Sequence, residues 1–101
     1  MQLVYKAIFT PFEDGEGYTV EVPDLPGCVT EGYSLAEAIE MGQDAASGWI
    51  LGELEEGHGF PHPSDPTSIT APEGSFANFL VLDIEAYSEQ YGSKAIRKNI
   101  T

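Results

Sequence analysis

Two prolines and a glycine within one short run, Pro23-Asp24-Leu25-Pro26-Gly27, constrain the course of this chain more tightly than any other stretch. Proline removes a backbone donor and locks φ, so neither a helix interior nor a central strand absorbs this run, and the chain must reverse there. A β-prone run, Cys28 to Tyr33, follows directly. Ser34 and Glu37 then form a capping box, and apolar residues at helical spacing begin at Leu35. A turn, a strand and a helix start are thus specified back to back.

Upstream, Leu3, Tyr5, Ala7 and Phe9 alternate with Val4, Lys6 and Ile8. Both sets are largely apolar, which predicts a strand covered on at least part of both faces. Pro11 ends it. Glu13-Asp14-Gly15-Glu16-Gly17 is a polar turn leading into Tyr18-Thr19-Val20-Glu21-Val22, with Tyr18, Val20 and Val22 facing inward. With Cys28–Tyr33 this gives three antiparallel strands in sequence.

From Ser34 to Glu56 the apolar positions Leu35, Ala38, Ile39, Ala45, Ala46, Trp49, Ile50 and Leu54 recur at steps suited to one long helix. Gly42 lies on or near that stripe, where a glycine costs about 1 kcal/mol of helix propensity, and close approach to a sheet is the expected reason. Gly57 is the expected C′ residue, and Trp49 is expected to be buried between helix and sheet. Residues 57–75 carry Pro61, Pro63, Pro66 and Pro72 and predict an extended surface loop, with a short edge strand at Thr67–Thr70. Phe76 to Ile84 is apolar on both faces and predicts a central strand, and Glu85 to Gln90 a short helical turn. A helical crossover to a parallel strand beside the first one gives the sheet order 3-2-1-4, with the long helix on one face.

A chain of 101 residues, 42% hydrophobic, makes one domain with a modest core. No apolar run approaches the roughly 20 residues that span a bilayer, and Met1-Gln2-Leu3 opens no signal peptide. The single cysteine, Cys28, excludes an internal disulfide framework. A cytoplasmic protein is the expectation. Charge is distributed unevenly. Lys6 is the sole Lys or Arg in residues 1–93, against all 17 carboxylates, a net of −16, whereas residues 94–101 carry Lys94, Arg97 and Lys98 and no acid. A body this acidic repels nucleic acid and attracts basic partners.

The pattern Tyr-Thr-Val-x-Val-Pro-Asp-Leu-Pro-Gly-Cys-x-Thr-x-Gly-x-Ser-x-x-Glu-Ala, running from Tyr18 to Ala38, resembles the HicB family, antitoxins of bacterial toxin–antitoxin pairs. The resemblance extends from about Leu3 to Thr101. It implies an α+β, partial ribonuclease-H-like β-β-β-α-β fold, the same arrangement reached from the pattern. It divides the chain into an antitoxin domain at 1–92 and a basic segment at 93–101, a linker or the start of a C-terminal DNA-binding module. It also implies a partner: a HicA-type toxin, a small basic RNA-cleaving protein of double-stranded-RNA-binding fold that uses a histidine. Neutralising that toxin is the expected function, together with a part in repressing its own operon. The chain is expected to form homo-oligomers.

Candidate residues follow from charge. Glu37, Glu40 and Asp44 on the helix form one acidic face that can meet the toxin; Glu13, Asp14, Glu16 and Asp24, on the hairpin and the Pro-rich turn, form the other. A strand at the C-terminus would place Arg97, Asn99 and Thr101 on one face, a set that reads base edges when two helices follow to hold a dimeric ribbon. The chain stops at Thr101, so a DNA-binding repressor fragment is the alternative reading and operator DNA a partner only through the absent module.

Other chemistry is weaker. A two-metal nuclease needs carboxylates on the first strand, the helix and the fourth strand; Glu40 or Asp44 and Asp83 supply two, and the first strand supplies none. Asp83 reads better as a cap for the turn after it. His58 and His62 have a zinc-pair spacing, but Gly59, Pro61 and Pro63 exclude the helix that would align them. Cys28 has no base near it in sequence and reads as a buried small residue. A non-enzyme without a cofactor is the expectation.

Overall fold

The computed structural model describes residues 2–91. The elements run β1 (Gln2–Pro11), β2 (Tyr18–Glu21), β3 (Val29–Gly32), α1 (Leu35–Glu55), a 3-10 turn at Pro66–Ser68, β4 (Phe76–Asp83) and α2 (Ile84–Tyr91). They form a four-stranded sheet in the order β3-β2-β1-β4 with α1 against one face. This is the expected α+β arrangement.

The direction of β4 differs from the expectation. It pairs with β1 antiparallel, from Gln2↔Asp83 to Phe9↔Phe76. The reason lies in residues 57–75, which do not pass straight from α1 into a strand. They run back along the sheet and deliver the chain to the far end of β1. Tyr5 Oη donates to Pro61 O at 2.6 Å, Ser64 N and Oγ donate to Asp24, and Lys6 Nζ donates to Pro66 O and Ile69 O at 2.7 and 2.8 Å. The edge strand expected at Thr67–Thr70 is replaced by the 3-10 turn, because Asp65 caps Thr67 N at 2.8 Å and Pro66 occupies the first position.

The core lies between the sheet and α1. Tyr5, Ala7, Phe9, Val20, Leu25, Ala38, Ala46, Ile50 and Leu80 are fully buried, and each large member removed from water contributes about 1.5–3 kcal/mol. Phe9 stacks on Phe76 with ring centroids 5.3 Å apart. Gly42 is buried, and a Cβ there would stand 3.2 Å from Leu80 Cδ1 and from Val20 Cγ1, so the missing side chain lets helix and sheet close.

The cap works as the pattern requires. Glu37 N donates to Ser34 Oγ at 3.0 Å, and Glu37 Oε1 accepts from Tyr33 N at 2.7 Å, one residue before the cap itself. At the other end Gly57, at φ 81°, donates to Leu54 O at 3.0 Å, the left-handed C′ geometry that favours glycine.

Two burial expectations need correction. Trp49 is half-buried at the margin of the core, with Nε1 donating to Pro26 O at 3.0 Å. Its polar edge pins the Pro-rich turn and keeps the ring from sinking between the layers. On the helix Leu35 and Leu54 are exposed, while Leu51 and Ser47 are buried. β4 is an edge strand, not a central one: Phe79 and Val81 are exposed on the face away from α1, as is Val4, the Cα partner of Val81. That side of β1 and β4 has only part of its area covered by the 57–75 loop. No helix among the described residues is long and apolar enough to cross a membrane.

Candidate functional site

The acidic candidates do not form a single surface. Glu13, Asp14 and Glu16 occupy the β1–β2 turn, while Asp24 lies in the β2–β3 turn at the opposite end of β2. The first three are exposed, with Asp14 Oδ1 accepting from Glu16 N at 2.8 Å. Both Asp24 oxygens are engaged by Ser64, at 2.9 Å from its N–H and at 2.9 and 3.0 Å from its hydroxyl. Asp24 is therefore tied to the loop.

Glu37, Glu40 and Asp44 are spaced three and four apart along α1 and are exposed. Glu37 is partly committed to the cap described above. Glu40 and Asp44 do more than share a face. With Asp83 at the end of β4 they line a cleft of about 300 Å³ between α1 and α2, completed by Gln43 and Tyr87. Gly48 faces α2 at this point, where a Cβ would stand 3.1 Å from Tyr87 Oη. Burial first, and then the negative charge of Asp44, hold the Tyr87 phenol above the ordinary tyrosine range.

Asp83 also caps α2, accepting from Ala86 N at 3.1 Å, the role its position suggested. Gln2, not a carboxylate, faces it across the ladder from β1. Among the described residues no group of three His, Cys, Asp or Glu side chains is arranged to hold a metal ion. His58 Nδ1 lies 3.0 Å from Glu53 Oε2, on the α1 terminus. Cys28 is buried beside the Pro-rich turn, and burial pushes its thiol pKa up, away from the thiolate a nucleophile needs. Arg97, Asn99 and Thr101 lie outside the described residues.

Two participants in this cleft carried no signal in the sequence. Gln43 lies off the apolar stripe of the helix, yet its Oε1 accepts from Val81 N at 3.3 Å, reaching from α1 to the outer edge of β4. Tyr87 reaches the cleft only because α2 folds back on α1. Lys6, the sole described Lys or Arg, is held by the 57–75 loop, its Nζ 6.0 Å from the centre of the Phe79 ring. The cleft carboxylates thus have no lysine or arginine partner among the described residues.

Fold and cleft together define a small antiparallel α+β domain with an acidic groove at one sheet edge. The chain belongs to the HicB-like antitoxin family of bacterial toxin–antitoxin systems, whose model matches residues 5–101. It is 34% identical over 86 residues to an uncharacterized 14.9 kDa protein in the rep-hol intergenic region of Haemophilus phage HP1, a match covering 85% of this chain and 64% of that protein. Among solved structures it is similar to a chain of a toxin–antitoxin complex from Streptococcus pneumoniae, with a TM-score of 0.76, 25% identity, and 86% of this chain and 73% of that chain covered. It is also similar to a chain of a HicA3 and HicB3 toxin–antitoxin complex, with a TM-score of 0.67, 26% identity, and 80% and 99% covered. The fold matches the N-terminal domain of the Burkholderia pseudomallei antitoxin HicB at a TM-score of 0.62 and 22% identity, over 80% of this chain and 96% of that one.

Proposed function

We propose that this chain binds and neutralises a small basic HicA-type ribonuclease toxin, and that Glu40, Asp44 and Asp83 form the centre of the binding surface, with Glu37 at its margin. The single observation that supports this most is the cleft itself: three carboxylates gathered from α1 and β4 with no lysine or arginine beside them among the described residues. Family membership and the two similar chains from toxin–antitoxin complexes support the partner class. Carboxylates against a basic surface occupy the positions that RNA phosphates would take, so toxin held here cannot hold substrate. The protein acts by occupancy, without catalysis of its own, in the cytoplasm. Residues 1–92 form the toxin-binding domain, and residues 93–101 are a basic linker or the start of a DNA-binding module through which an oligomer represses its operon. Glu13, Asp14 and Glu16 add to the long-range field, and Asp24 serves the fold.

The test is association with the HicA-type toxin of the same operon, in a form lacking its catalytic histidine. The on-rate should fall steeply as salt rises, while the off-rate changes little. Glu40→Gln with Asp44→Asn should slow association at low salt and flatten that dependence. An on-rate indifferent to salt would refute charge mimicry.

A further inference from the structure

Two outward donors on the free edge of β4 are already filled by side chains. Phe79 N donates to Asn78 Oδ1 at 2.8 Å and Val81 N to Gln43 Oε1 at 3.3 Å, where a neighbouring strand would present carbonyls. In an antiparallel ladder a residue's N–H and C=O point the same way, so the C=O groups of Phe79 and Val81 also face outward. The Phe79 and Val81 side chains are exposed on the face away from α1, beside Val4. On the other side of this edge lies the acidic cleft, because Gln43 both lines the cleft and covers Val81 N. Backbone groups, an apolar strip and carboxylates therefore converge on one strand edge.

We propose that β4 accepts a fifth strand from a basic partner, one in which apolar residues alternate with lysine or arginine. Strand addition of this kind takes its affinity from main-chain hydrogen bonds and its specificity from alternate side chains. Here one set of partner side chains continues the Val4–Phe79–Val81 strip, and the other points toward Glu40, Asp44 and Asp83. Charge selects the occupant. A second copy of this chain carries −13 and would bring a second acidic cleft to the same edge, whereas a basic strand neutralises it. The Asn78 and Gln43 amides cover the edge until that strand arrives, as edge protection requires. This inference rests on the toxin-binding reading and locates the contact within it.

The experiment is amide hydrogen exchange on the full chain, free and with the same toxin, together with Val81→Pro. Proline at 81 removes an outward donor, now bonded to Gln43, and spares the bonds to β1, since an edge strand tolerates proline where its N–H faces outward. Expected are slowed exchange at Phe79 and Val81 on toxin binding and a loss of affinity of about 100-fold in the variant. Toxin binding with no new protection at those two amides and an unchanged Val81→Pro affinity would overturn strand addition and leave the toxin-binding reading standing. Failure of the wild-type chain to bind toxin at low salt would overturn both. Protection that rises with protein concentration in the absence of toxin would assign the edge to a second copy and refute the basic strand. If Val81→Pro fails to fold, the exchange measurement on the wild-type chain decides.

Discussion

Gly42 on α1 stands so close to Leu80 of β4 that a methyl group at its Cα would lie 3.2 Å from Leu80 Cδ1. The same methyl would lie 3.2 Å from Val20 Cγ1, and both neighbours are fully buried. Gly42→Ala therefore sets a gain in helix propensity of about 1 kcal/mol against overpacking of about 1–3 kcal/mol. The expected net is a loss of about 1 kcal/mol. At Gly52, in the same helix, nothing lies within 4 Å of an added Cβ, and Gly52→Ala should stabilise by about 0.5–1 kcal/mol. Urea unfolding of the two variants should give opposite signs, and equal signs would contradict the close approach at Gly42.

Gly32 offers a sharper case at the β3–α1 junction. A Cβ there would fall on backbone, with Ala38 N, Ala38 Cα and Glu37 C all nearer than 3.0 Å. Backbone atoms of a capped helix start cannot yield as a side-chain tip can. Gly32→Ala should cost more than about 3 kcal/mol, and cooperative melting close to wild type would show that the junction is looser than described.

Tyr5 predicts a pH response. Burial first, and then the nearby Asp24 charge, raise its phenol to about 12 from 10.0. Between those values the unfolded chain loses the proton that the folded chain keeps, so stability is fully present below pH 10 and falls as pH rises toward 12. Tyrosinate absorbance should show one phenol titrating near pH 12. Tyr5→Phe should remove that component, and with it the bond to Pro61 O, at a cost of about 1 kcal/mol at neutral pH.

Trp49 tests the margin of the core. Trp49→Phe keeps most of the ring contact and loses the Nε1 bond to Pro26 O, so it should cost about 1 kcal/mol. Trp49→Ala should cost about 2–3 kcal/mol, less than a fully buried tryptophan would. Indole fluorescence partly accessible to a soluble quencher would agree with the half-buried position, and complete protection would not.

Asp24 separates architecture from binding. Asp24→Ala removes the hydrogen bonds from Ser64, so residues 57–75 should be cleaved faster by a nonspecific protease. Toxin affinity should change by less than about threefold, which isothermal titration would measure. A large loss of affinity would move the binding surface to the Pro-rich turn.

What the sequence disclosed is mostly what neighbours in the chain decide. The reversal at Pro23–Gly27, the Ser34 cap, the span of α1 and the C′ role of Gly57 each depend on residues a few positions apart, and each is where local chemistry puts it. The direction of β4 depends instead on where residues 57–75 are held. The hydrogen bonds that hold them reach Tyr5, Lys6 and Asp24, 40 to 63 positions away, a pairing that no local pattern encodes. The apolar outer positions of β4 suggested a central strand because covered and uncovered apolar faces look alike in sequence. The acidic residues of the cleft were visible singly. That Glu40 and Asp44 meet Asp83, and that Gln43 turns to the strand edge, follows from the packing of α2 on α1.

The ladder between Gln2 and Asp83 also gives the domain a history. A ribosome adding about 5–20 residues per second completes β1 long before its second neighbour exists, and during that interval β2 and β3 can pair but one edge of β1 stays bare. The last strand to be made closes it, and that closure joins the two sheet segments most distant in the sequence, a non-local pairing of the kind that slows folding. A chain interrupted between Gly57 and Phe76 would carry the turn, the cap and the long helix, yet it would lack the strand that covers the second edge of β1. Completion of the message, rather than any local motif, is what makes the sheet whole.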